Sequence, residues 1–139
     1  DDWGTYTRDG RVRAPAGMDT DAAGNVYVAD QRNHQVQVFD ANGAFLRKWR
    51  HAAPGEFLDR PIDVAVDTNG DVYVTNSGRD RVERYDDDGT WLATIGAGQL
   101  TWPKWLALDG QGHVFVADRT AGRVIGEIAA GDMKTGACR

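Results

Sequence analysis

The chain has 139 residues, 41% of them hydrophobic, and 21 acidic against 16 basic side chains give a net charge of −5. A length of this order admits one domain with a sizeable core, the mixed charges and aromatics exclude a disordered polymer, and no apolar run reaches the roughly 20 residues of a membrane helix. The single cysteine, Cys138, excludes an intramolecular disulfide and a cysteine-built zinc site; it reads as an idle tail thiol, with a link between two chains as its functional alternative.

Asp1–Ala14 carries no initiator Met and opens as a processed or excised chain would, which favours a soluble, secreted or extracytoplasmic protein. Trp3 stands as far before Pro15 as Trp49 stands before Pro61, so this segment reads as the tail of an outer strand and the link to the next element. Pro15 opens AGMDT, followed by a turn and strand at Asp21–Asp30 (DAAGNVYVAD), a third strand at 34–40 (HQVQVFD), the turn ANG at 41–43 and a fourth strand at 44–49 (AFLRKW). The order then repeats. Pro61 opens IDVAV, Asp67–Asn76 reads DTNGDVYVTN, and DRVERYD at 80–86, DDG at 87–89 and TWLATIG at 90–96 follow. Pro103 opens KWLAL, followed by Asp109–Asp118 (DGQGHVFVAD) and GRVIGEI at 122–128.

Each Asp-x-x-Gly fits a tight hairpin turn, the Asp capping backbone N–H groups and the Gly taking positive φ. The alternation that follows has period two, placing the valines on one face and Tyr27, Tyr73 or Phe115 on the other. Four short strands joined by tight turns and recurring every 40 or so residues predict an all-β protein of β-propeller blades. The blades run over 15–60, 61–102 and 103–139, with 1–14 as a closing strand.

The motif Pro-x-x-(Val/Leu)-Ala-(Val/Leu)-Asp, then x-x-Gly-x-Val-(Tyr/Phe)-Val-(Ala/Thr)-(Asp/Asn), then Arg-Val with an aromatic, resembles the NHL repeat over about residues 15–132. The first copy departs from it: Asp19 and Thr20 replace Ala65 and Val66, which predicts a short or irregular innermost strand, and Gln35 replaces Arg81 and Arg123. The third lacks a convincing fourth strand after Ile128, a place Trp3 is available to fill. The resemblance implies a six-bladed ring, of which this chain supplies half. Open end blades expose apolar faces that soluble monomers avoid, so a homodimer or the remaining blades of a longer chain is expected to complete the ring.

The resemblance further implies that innermost strands line a channel and that ligands meet its mouth. Candidates there are Asp63, Lys104, Trp102 and Trp105, the last two an aromatic lip around Pro103 suited to peptide or small-molecule capture, against a competing role in packing or ion pairing. A channel divalent cation such as calcium would draw on Asp63, Asn76 and Asp118 as oxygen ligands. The economical reading of Asp30, Asn76 and Asp118 is structural, bonding the backbone of the turn that follows each. Asp86-Asp87-Asp88-Gly89 lacks the ligand spacing of an EF-hand and reads as a hairpin turn.

His34, His51 and His113 occupy three different repeat positions, and Ser77 has no base beside it, so catalytic residues are not assigned. Scattered basic residues and only three lysines (Lys48, Lys104, Lys134) disfavour nucleic acid, and Arg79, Arg81 and Arg84 read as a solvated blade edge. The sequence therefore favours a non-catalytic binding or scaffold module that self-associates into a six-bladed ring. Its alternatives are a lactonase-like hydrolase or lyase with a channel metal, and a building block that polymerises through open blade faces.

Overall fold

The structure, a computed structural model, describes residues 9–120, 122–128 and 132–136. Trp3 and Cys138 lie outside them. Twelve strands are described: β1 Pro15–Thr20, β2 Val26–Asp30, β3 Gln35–Phe39 and β4 Phe45–Trp49; β5 Pro61–Val66, β6 Val72–Asn76, β7 Arg81–Tyr85 and β8 Trp91–Ile95; β9 Pro103–Leu108, β10 His113–Asp118, β11 Arg123–Ile128 and β12 Asp132–Gly136. They form three four-stranded antiparallel sheets, each a meander in sequence order. The fold is all-β, and its sheets are propeller blades.

The turns form for the reason the sequence proposes. In the first hairpin of each blade, Oδ1 of Asp21, Asp67 or Asp109 accepts from the backbone N–H groups two and four residues on. Asp40 and Asp86 do the same in the second hairpin, so the acidic run at 86–88 is a turn. Gly70 closes its turn at φ +89°, a conformation that a Cβ disfavours.

One expectation is corrected: the third sheet has a fourth strand, β12, where the sequence shows no alternation to announce it. The first innermost strand is irregular but not short: it has six residues like its counterpart β5, and the register slips near the proline in both.

The sheets stack face to face, β1 beside β5 and β5 beside β9. Period-two alternation sends one row of side chains forward and the other back. Tyr27 and Ala29 of blade 1 pack on Val64, Val72 and Val74 of blade 2. Tyr73 of blade 2 packs on Val114 and Val116 of blade 3. Trp49 is buried in the first seam, its ring 5.3 Å from that of Tyr85 and 6.4 Å from that of Tyr27. Burying such aromatic and β-branched rows is the main term that holds blade to blade.

Candidate ligand site at the blade entrances

The linkers and the short 3-10 turns share one end of the sheets, and the Asp hairpins share the other. At the linker end each chain segment enters its innermost strand by the same device. The backbone N–H two residues before the proline donates to the Asx that closes the central strand: Arg13 to Asp30 at 2.7 Å, Asp59 to Asn76 at 2.8 Å and Thr101 to Asp118 at 2.8 Å. These Asx side chains thus hold the linker that precedes them, and at Asp30 and Asn76 the expected side-chain bond to the backbone of the following turn is absent. The next residue turns left-handed, with φ of 61° at Ala14, 50° at Arg60 and 63° at Trp102, and the proline fixes the strand that follows.

Two of these left-handed residues are also tied across a seam. The Arg60 N–H donates to His34 Nδ1 at 3.1 Å, and the Trp102 N–H donates to Asp80 Oδ1 at 2.7 Å. The device therefore places Arg60 and Trp102 at equivalent points of adjacent blades, and the Arg60 guanidinium lies 4.6 Å over the Trp102 ring. Lys104 Nζ lies 5.6 Å over the ring of Trp105. Each pair sets a cation on an aromatic face.

Asp63 lies against the neighbouring innermost strand. Its Oδ2 accepts the Leu106 N–H at 2.8 Å and its Oδ1 accepts the Val64 N–H at 3.0 Å. Asp19 makes the matching bond one seam earlier, to the Val66 N–H at 2.8 Å. Burial pushes the Asp63 carboxyl above the usual carboxylate range, the two N–H groups oppose that, and Asp19 adds to it. An acid raised in the folded state contributes stability that is complete below its unfolded pKa and is lost as pH rises through the folded one. Asp63→Asn, which keeps an acceptor for Leu106, is therefore expected to gain on the parent between pH 4 and pH 7; urea midpoints at the two pH values check this, and a constant difference would refute it.

Of the other metal candidates, Asn76 spends its amide on Glu83 at 3.1 Å and its oxygen on the linker. Asp118 holds Thr101. Among the described residues no group of three His, Cys, Asp or Glu side chains is placed to hold a metal ion. The histidines are separated in role as in sequence: His34 faces Arg60 and Asp59, His51 Nε2 meets the Gly89 carbonyl, and His113 pairs with Asp109. Arg79 and Arg81 bind the 56–57 linker, Arg81 also reaching Glu83, and Arg84 pairs with Asp71 at the opposite end.

Sequence reasoning missed Glu83. It is fully buried, and its carboxylate accepts from Asn76, Arg81, the Trp91 indole at 2.9 Å and the Thr94 hydroxyl at 2.7 Å. Blade 1 has the same pair with its chemistry exchanged, since the amide of buried Gln37 donates to Asp30 at 2.9 Å. An acid and an amide trading places at two fixed repeat positions is the signal that identifies it.

An NHL repeat model matches residues 13–39 and 58–85, each stretch beginning at the linker bond and ending in the third strand. Those two stretches are NHL repeats. The third blade lies outside the matched stretches and shares their linker bond and Asp hairpin. No curated protein matches the sequence. Among solved structures, the chain resembles a streptogramin B lyase at TM-score 0.77 and 14% identity, covering 99% of this chain and 44% of that one. A virginiamycin B lyase from Staphylococcus aureus follows at TM-score 0.71 and 12% identity, covering 89% and 41%. A chain of a nidogen/laminin complex gives TM-score 0.76 and 18% identity, covering 91% and 49%. At these identities the likeness concerns the fold. The chain spans less than half the length of each. No helix among its described residues is long and apolar enough to cross a membrane.

Proposed function

We propose that the chain is a binding module, non-catalytic in its own right, that forms half of a six-bladed NHL ring and takes an acidic, aromatic-bearing ligand at the blade entrances. The observation that carries this is the Arg60–Trp102 stack, a guanidinium and an indole held by backbone bonds at the mouth. Charge segregation supports the ligand class. Exposed Arg13, Arg32, Arg60, Arg79 and Arg119 outnumber Glu56, Asp59 and Asp80 at the entrance end, while Asp21, Asp40, Asp67, Asp86, Asp87, Asp88 and Asp109 outnumber Arg47 and Arg84 at the hairpin end. An acidic ligand is steered toward the first and away from the second. Protein partnership in one structural neighbour, a nidogen/laminin complex, agrees with a binding role. Catalysis in the lyase neighbours belongs to those proteins; here the three histidines serve three separate contacts.

The test is titration with a short peptide of alternating Glu and Tyr, read by tryptophan fluorescence and calorimetry. Arg60→Ala and Trp102→Leu are each expected to weaken binding about tenfold, the cost of one desolvated hot-spot side chain. Adding 0.5 M salt should weaken the parent more than Arg60→Ala. Equal affinities for all three proteins, or no binding by the parent, would refute the assignment.

A further inference from the structure

The two seams inside the chain are tied at the entrance by the same bond made with different chemistry. His34 and Asp80 end the short 3-10 turns of blades 1 and 2 in the same left-handed conformation, φ 55° in both. His34 Nδ1 accepts the Arg60 N–H at 3.1 Å, and Asp80 Oδ1 accepts the Trp102 N–H at 2.7 Å. An imidazole nitrogen accepts only while it carries no proton, and imidazole changes charge between about pH 5 and 8. A carboxylate keeps its acceptor oxygens throughout that range. The cation of the Arg60–Trp102 stack is therefore held by a titrating group, and the indole by a permanent one.

What protonation does is set by the groups that face the ring. On the linker packed against it, Asp59 Oδ1 lies 3.3 Å from His34 Nδ1 and 3.5 Å from Arg60 Nε; Arg32 stands on the ring's own turn. A proton on Nδ1 turns that nitrogen from acceptor into donor, and its partner becomes the Asp59 carboxylate. The Arg60 N–H then loses its acceptor, and the oxygen beside the Arg60 guanidinium is drawn to the imidazolium. One proton weakens both ties. Arg60 is exposed at φ 50°, a conformation that a residue with a Cβ keeps only where its surroundings fix it, so it relaxes once they let go.

We propose that His34 is the positioning residue of the entrance site: neutral, it holds Arg60 over Trp102, and protonated, it releases Arg60, so that the site takes its acidic ligand at neutral pH and gives it up in mild acid. This rests on the ligand reading above. Protonation also adds a positive charge, which by itself strengthens the attraction for an acidic ligand, and linkage separates the two effects by sign. A bound state that needs the neutral ring lowers the pH at which His34 titrates; carboxylates that merely sit beside the ring raise it.

The experiment is a pH titration followed by NMR at near-physiological ionic strength, reading the His34 ring and the Arg60 and Trp102 amides. Without peptide, the Arg60 amide is expected to move with the His34 ring while the Trp102 amide stays still between about pH 8 and 5.5. His34→Asn supplies a neutral acceptor that tolerates left-handed backbone and should hold the Arg60 amide at its neutral-pH position throughout; His34→Gly, equally at ease there, should hold it at the acid position. Saturating Glu-Tyr peptide should lower the His34 midpoint. Parent affinity for that peptide should weaken about three- to tenfold over the same pH range, the worth of one hydrogen bond, and less than about twofold in His34→Asn. An Arg60 amide that ignores the His34 titration, or a midpoint that rises with peptide, would overturn the proposal. A parent that binds no peptide refutes the ligand reading alone, and the peptide-free titration then decides the positioning role by itself.

Discussion

Asn76→Asp is expected to destabilise the chain by on the order of 3–5 kcal/mol, the scale for an uncompensated buried charge. The Asn76 amide is a donor to the fully buried Glu83 carboxylate, and its oxygen receives the linker N–H of Asp59. A second carboxylate keeps the linker bond and removes the donor, leaving two acids face to face without water. Arg81, which donates to one Glu83 oxygen, offsets only part of their repulsion. Blade 1 supplies the cure. Asp30 and Gln37 hold the same two places in the opposite chemical order, so adding Glu83→Gln should restore an amide-to-acid bond. Arg81 keeps a carboxylate partner in Glu56, and the remaining amide oxygen can still accept from Trp91 or Thr94. The double variant is expected to lose at least 1 kcal/mol less than the sum of the singles, a coupling on the scale measured for contacting residues. Urea unfolding of the four proteins decides it: additive losses would mean that the two side chains do not share a proton donor in solution.

What the sequence made legible was local. The Asp hairpins, the alternating strands and the blade repeat follow rules that operate within four residues, and they appear in the structure where the residues place them. The functions of the Asx positions were not legible in the same way. Asp30, Asn76 and Asp118 each reach a backbone N–H seventeen residues upstream, and nothing in the turn beside them advertises that partner. Asp63 reads from sequence as a channel-mouth group, yet its acceptor atoms meet an edge N–H 43 residues away, on the next blade. β12 escaped because DMKTG has neither alternation nor β-branched residues beyond Thr135, so its pairing to β11 is imposed by the sheet. Trp102 and Trp105 look alike from sequence, flanking one proline. Structure separates them, because one lies under Arg60 at the linker end of the sheets and the other lies under Lys104 and is 59% exposed.

Gly17→Ala is expected to cost about 2–4 kcal/mol, the sum of an overpacked contact and a weakened strand clip. The added carbon would stand 1.9 Å from the Asp63 Oδ1 and 2.7 Å from the Asp63 Cα. A flexible side chain could swing clear, but here the obstacle includes backbone, and Asp63 is pinned by the N–H groups of Val64 and Leu106. Strand β1 must instead back away from β5, which stretches the Asp19 bond to the Val66 N–H as well. Gly55 provides the contrast, because it has φ +81° and no atom within 4 Å of an added carbon. Gly55→Ala therefore tests backbone strain with no collision, expected at about 1 kcal/mol, while Gly17→Ala tests collision with no left-handed backbone. Chemical denaturation of both variants should rank Gly17→Ala as the more damaging by at least 1 kcal/mol, on the scale of an overpacked core. An equal or reversed ranking would mean that the innermost strands do not approach this closely.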